Sequence, residues 1–215
     1  MNMKQWLLEQ QQLKEKKAMP VLSFPSVSLL GITVKELISD PELQAKGMKR
    51  IADRTPSAAA VSMMDLSVEA EAFGATIRFS DDEVPTVIGC IVPEPEDAEA
   101  LQVPAVGTGR TGLYIKAIER AVELITARPV FAGIIGPFSL AGRLMDVSEA
   151  MIKCYEEPEM VHLIMRKVTD FLMAYAKAYK AVGAAGVVIA EPLTGLLSPD
   201  LATEFSEPYA LRFTR

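Results

Sequence analysis

The chain has 215 residues, half of them hydrophobic, with a net charge of −6. That length supports one sizeable domain with a real core, and no apolar run approaches the ~20 residues of a membrane-spanning helix. The acidic balance, with no basic stripe, argues against a nucleic-acid surface.

The N-terminal stretch MNMKQWLLEQQQLKEKK is polar and helical, from Met3 to about Ala18, with Trp6, Leu7, Leu8 and Leu13 on its apolar face. It has neither an apolar h-region nor a cleavage site, so it does not read as a secretory signal, and a cytoplasmic location is expected. Pro20 ends the helical pattern, and Val21–Phe24 reads as a short first strand closed by Pro25. Thr33-Val34-Lys35-Glu36 has capping-box spacing, and Asp40-Pro41 starts another helix, which runs to about Asp53.

Ser57–Met64 (SAAAVSMM) is the second expected strand, ending in Asp65. Ser67 is placed to cap a short helix over Val68–Phe73, closed by Gly74, and Ala75–Phe79 reads as extended. Ser80-Asp81-Asp82-Glu83 is an acidic turn, whose adjacent acids read as solvated rather than metal-binding. Glu94–Leu101 is an acidic helix. The following GTGRTG stretch (Gly107–Gly112) lacks the spacing and the Lys-Ser/Thr of a phosphate loop. Leu113–Ala127 is amphipathic, with Ile115, Ile118, Val122 and Ile125 on one face.

Pro129–Ile135 (PVFAGII) is the third buried strand, running into Gly136-Pro137-Phe138-Ser139 and a helix from Leu140. Ser139 thus falls at a strand-to-helix turn whose backbone N–H groups suit an anion. Pro158–Val182 is a long helix. The single histidine, His162, lies within it and reads as a packing or surface residue. GAAGVVIAEPLTGLLSP (Gly183–Pro199) carries the fourth buried strand, which meets Glu191 at its C-terminal end and stops at Pro192. In α/β folds that end is where ligands bind. Leu201–Phe213 begins the next helix. Cys90 and Cys154 are isolated and read as free, inert thiols, and nothing assembles a His/Cys metal site.

Alternating buried strands and amphipathic helices make a βα repeat with a parallel sheet. Four such strands fit either an open sheet or a (β/α)₈ barrel incomplete in this chain, and their wide spacing favours the second.

Three stretches resemble the uroporphyrinogen decarboxylase superfamily, which includes the corrinoid-dependent methyltransferases. They are Met63–Gly74 (MMDLSVEAEAFG), Ile135–Ala141 (IGPFSLA) and Glu191–Pro199 (EPLTGLLSP). The resemblance implies an α/β TIM barrel, of which residues 1–215 form a single domain with a helical N-terminal extension and about four βα units. The decarboxylase branch carries an arginine-rich segment after the first strand, for the substrate carboxylates. Here that place reads Val21–Ser26 without arginine. The family aspartate matches Asp65, but Arg143 stands in place of the active-site tyrosine and Pro192 in place of the serine. "EAEAFG" (Glu69–Gly74) looks more like the methyltransferase branch.

The resemblance therefore implies methyl transfer between a methylcobalamin-type corrinoid, free or on a corrinoid protein, and a zinc-activated small thiol. The zinc ligands, a His-x-Cys pair and a later Cys, are expected beyond residue 215. Asp65 and Glu191 are the expected catalytic acids, and Ser139, Arg143 and Ser198 the expected substrate or corrinoid contacts. The isolated chain is expected to be inactive, and homo-oligomerisation is left open. Two alternatives stand beside it: decarboxylation of a porphyrinogen, with Asp65 stabilising a protonated pyrrole, and a non-catalytic barrel that binds a corrinoid or other tetrapyrrole.

Overall fold

The computed structural model describes residues 2–21 and 24–214. The expected first strand overlaps the two residues outside that range. Of its flanks, Val21 is not in a strand and Phe24 lies in a turn.

Helix α1 (Met3–Gln12) is shorter than its sequence pattern. It buries no residue, and Leu7 and Leu8 of its expected apolar face are exposed. Its tertiary anchor is Trp6, whose ring lies 5.9 Å from that of Phe131. Three helices follow: α2 (Ser26–Leu30), α3 (Val34–Ser39) and α4 (Pro41–Arg54). The expected caps form. Glu36 N–H donates to Thr33 Oγ1 at 3.1 Å and Thr33 N–H to Glu36 Oε2 at 2.7 Å, while Asp40 Oδ1 accepts from the N–H groups of Glu42 and Leu43.

The sheet is parallel and three-stranded, in the order β1 (Ala60–Val61), β4 (Val130–Ile135), β5 (Gly186–Ala190). The sequence predicts a strand over Ser57–Met64, but only two residues of β1 pair with β4. Beyond them, side chains take over the edge of β4. Gly133 N–H donates to Ser62 Oγ at 2.8 Å and Ile135 N–H to Glu69 Oε1 at 3.1 Å. β5 pairs with β4 over five residues, from Phe131↔Gly186 to Ile135↔Ala190. It is half-buried rather than buried, because β4 is its one sheet partner among the described residues.

Between β1 and β4 lie α5 (Val68–Ala72), an antiparallel hairpin of β2 (Thr76–Arg78) and β3 (Thr86–Ile88), α6 (Pro95–Ala100) and α7 (Thr111–Leu124). Ser67 does not cap α5: its hydroxyl bonds Asp65 instead, at 2.6 Å. The buried face of α7 is Thr111, Tyr114, Ala117, Ile118 and Ala121, with Ile125 buried just past its end; of the expected face Ile118 and Ile125 are buried, and Ile115 and Val122 are half-buried.

After β4, helix α8 (Pro137–Met145) starts three residues before the expected Leu140, so Ser139 lies within its first turn. Asp146, at φ 79°, breaks the chain before α9 (Val147–Glu156) and caps it. α10 (Pro158–Ala181) is the long helix that the sequence predicts. After β5 the expected continuous helix is broken into α11 (Pro199–Phe205), α12 (Glu207–Ala210) and a 3-10 turn. Pro208 explains the break, since it lacks an N–H and its ring crowds the preceding turn.

The two faces of the sheet differ. On one, Val130, Ala132 and Ile134 join Val187 and Ile189 in the core cluster with residues of α7 and α10. On the other, the Phe131 ring lies over Gly186 and the Met64 side chain over Gly133, positions where a Cβ would clash. No helix among the described residues is long and apolar enough to cross a membrane.

Candidate active site at the strand ends

Asp65, Ser139 and Glu191 all follow the C-terminal ends of the parallel strands. They form two separate arrangements.

The first is a clasp around Asp65, whose side chain is fully buried. Oδ1 accepts from Ser67 N–H at 3.0 Å and Ser67 Oγ at 2.6 Å. Oδ2 accepts from the Arg110 guanidinium and from Tyr114 Oη at 3.1 Å. Arg110 also donates from Nη2 to Ser67 Oγ at 2.9 Å and from Nε to Glu71 at 2.5 Å, and it lies 5.0 Å from the centroid of the Phe79 ring. One planar cation thus joins the loop after β1, α5 and the start of α7, using its fork of donors. Burial, and then the charge of Asp65, push the Tyr114 hydroxyl well above its ordinary range.

Glu69 stands beside this clasp, 2% exposed. Burial pushes its carboxyl up to about 7, against the pull of the Ile135 N–H.

The second arrangement joins β5 to α8. Glu191 accepts from Phe138 N–H at 2.9 Å and from Ser139 N–H at 2.6 Å. The anion that the sequence places against this turn is therefore supplied by the chain itself. Gly136 makes room for it, since a Cβ there would lie 2.2 Å from Glu191 Oε2. Ser139 Oγ accepts in turn from Leu193 N–H at 3.0 Å, which fixes the start of the loop after β5. Burial raises the Glu191 carboxyl, with the hydrogen bonds from Ser139 and Phe138 pulling the other way.

Arg143 is half-buried on α8 and has no ion-pair partner among the described residues. Ser198 is exposed and caps α11 through Leu201 N–H at 3.3 Å. The structure thus brings Glu191 and Ser139 together and gives Asp65 different partners.

Sequence reasoning does not single out Arg110, Tyr114, Glu69 or Glu71 as site residues. The one signal available was an arginine among the glycines of Gly107–Gly112. His162 packs, as expected, stacked on Phe205 with Nδ1 2.8 Å from Tyr209 Oη. Cys154 is buried and its thiol is pushed up by burial to about 11. Cys90 is exposed, with its thiol also raised and bonded to the carbonyls of Leu144 and Met145. Among the described residues no three His, Cys, Asp or Glu side chains gather to hold a metal ion.

A parallel sheet with helices between its strands and acids at the strand ends defines an α/β protein. The chain belongs to the uroporphyrinogen decarboxylase (URO-D) family, whose sequence profile matches residues 17–215. It is 33% identical to a methylcobamide:CoM methyltransferase of Methanosarcina acetivorans over 153 residues, 70% of this chain and 44% of that protein. It is 30% identical to a uroporphyrinogen decarboxylase of Myxococcus xanthus over 193 residues, 85% of this chain and 53% of that protein. A solved methyltransferase structure from Methanosarcina mazei superposes with a TM-score of 0.81 at 26% identity, covering 92% of this chain and 59% of that one. The chain spans about half the length of the curated relatives it matches. Members of the family are enzymes, either methyltransferases or decarboxylases.

Proposed function

We propose that the chain is part of a cytoplasmic corrinoid-dependent methyltransferase, moving a methyl group between a corrinoid carrier and a small thiol of the coenzyme M type. The observation that carries this is the saturation of Asp65. A porphyrinogen decarboxylase would need this aspartate to accept pyrrole N–H groups, yet four donors from Ser67, Arg110 and Tyr114 already occupy both oxygens. The absence of arginine from Val21–Ser26 supports the same choice.

In this proposal Asp65 and Glu191 are the acidic groups of the site, each held by fixed donors. Ser139 links Glu191 to the loop after β5, and Arg143 meets an anionic group of the substrate or the corrinoid. Ser198 sits farther along that loop as a second contact. A zinc ion, when bound, makes the acceptor thiol a thiolate. The described residues do not provide its ligand set. The open edge of β5 is where a (β/α)₈ barrel would continue, with residues 1–215 as one part of that domain.

The test is binding of methylcobalamin and of uroporphyrinogen to this chain, followed by equilibrium dialysis, with Arg143→Ala alongside. A polypeptide of the relatives' length containing these residues is then assayed for methyl transfer to coenzyme M and for loss of porphyrinogen carboxylates. Methylcobalamin binding weakened at least ~10-fold by Arg143→Ala, with methyl transfer in the longer chain, is the expected result. Porphyrinogen decarboxylation overturns the proposal in favour of the other branch. Tetrapyrrole binding without either activity overturns it in favour of a binding barrel.

A further inference from the structure

Helices α6, α9 and α10 border an open groove of about 570 Å³, none of whose lining residues belongs to the site described above. Its floor is apolar. Pro95 opens α6, Pro158 opens α10, and Met160 and Leu163 follow on α10. The groove is built in advance of any occupant. Lys167, on α10, donates to the carbonyls of Ala98, Glu99 and Leu101 at 2.7–2.8 Å, which fixes the α6 wall against the α10 wall. A preformed groove spares a partner the cost of ordering it.

Beside the groove, α9 turns Ile152 and Tyr155 outward, one helical turn apart and 46% and 72% exposed. Tyrosine is enriched among the residues that carry binding energy at protein interfaces, and an apolar patch with a polar rim marks such an interface. The rim here is acidic. Glu99, Glu156, Glu157 and Glu159 line the groove against one cation, Arg166. Among the described residues Glu99, Glu156, Glu159 and Arg166 form no ion pair. One oxygen of Glu157 accepts from Lys153 at 3.3 Å, while Oε2 is buried with no hydrogen-bond partner among the described residues. Buried polar atoms are ordinarily satisfied, so this oxygen suits a donor that arrives with a partner.

We propose that the groove docks a basic amphipathic helix of a partner protein. Its apolar side chains lie on the floor from Pro95 to Leu163 and against Tyr155, and its lysines or arginines reach the glutamates of the rim. This is helix-in-groove recognition, and the rim selects the partner by charge: an acidic helix would meet four carboxylates. The inference is independent of which branch of chemistry the site performs.

The probe is a pair of soluble helical peptides with the same leucines, one with arginines on its polar face and the other with glutamates. Each is titrated into the isotope-labelled chain, and amide shifts are followed. The arginine peptide should shift amides of α6, α9 and the start of α10, and the glutamate peptide should not bind. Tyr155, Glu156 and Glu159 are exposed, so the fold should tolerate their replacement. Tyr155→Ala should weaken binding at least ~5-fold, and Glu156→Lys with Glu159→Lys at least ~10-fold. Asp82→Lys with Glu83→Lys, exposed between β2 and β3, changes the net charge equally and should leave binding unchanged. The proposal is overturned if the arginine peptide does not bind or shifts amides elsewhere, if Tyr155→Ala binds like the wild type, or if the two charge reversals weaken binding equally. It is also overturned if a polypeptide of the relatives' length does not bind the peptide, because the added chain then fills the groove. Loss of self-association in Tyr155→Ala overturns it in favour of a second copy as the occupant.

Discussion

Arg110 shows how much one side chain organises here. It holds Asp65, Glu71 and Ser67 at once, and its own side chain is 11% exposed. Arg110→Met should leave the Asp65 charge buried with its cation gone, at a cost on the order of 3–5 kcal/mol in denaturant unfolding. Asp65→Asn in the same chain should recover part of that loss, because the pair acts as a unit. Gly136 and Glu191 are coupled by sterics instead. Gly136→Ala should cost about 1–3 kcal/mol, since its methyl competes with the carboxylate. In the Glu191→Ala background the same change should cost much less, and a double-mutant cycle measures the difference. Glu191 was legible in the sequence because an apolar run ends on it. Arg110 was not, because its contact with Asp65 spans 45 positions and no local periodicity encodes it.

At the level of elements, strong local signals carried through. β4, β5 and α10 lie within a few residues of their predicted places, and the caps of Thr33 and Asp40 form as spaced. Asp40→Ala should destabilise the protein by about 1 kcal/mol, read as a lowered unfolding midpoint, because two N–H groups of α4 lose their acceptor. Weak local signals failed where tertiary partners decide. β3 is three residues long and exists by pairing with β2. The predicted β1 shrank because the side chains of Ser62 and Glu69 compete for the same edge of β4. The C-terminal end of α6 has a comparable device: Lys167, from α10, donates to the carbonyls of Ala98, Glu99 and Leu101 at 2.7–2.8 Å.

For the molecule as a whole, β5 matters most. Val187 and Ile189 pack into the core, while Val188 on the opposite face is half-buried and outside it, and the far edge of the strand is unpaired among the described residues. Such an edge is a template for strand addition. The 215-residue chain should therefore self-associate with rising concentration in sedimentation velocity, and Val188→Lys should shift it toward monomer. A monomer at all concentrations would mean that the edge is covered some other way. The opposite edge of β4 has another consequence. Backbone-to-backbone hydrogen bonds are the same for nearly any residue, so single codon changes seldom erase them. Where Ser62 and Glu69 stand in for a strand, that rule lapses, and two rungs of the sheet become heritable, selectable traits. Relatives that differ at these two positions would have to differ in the length of their first paired strand.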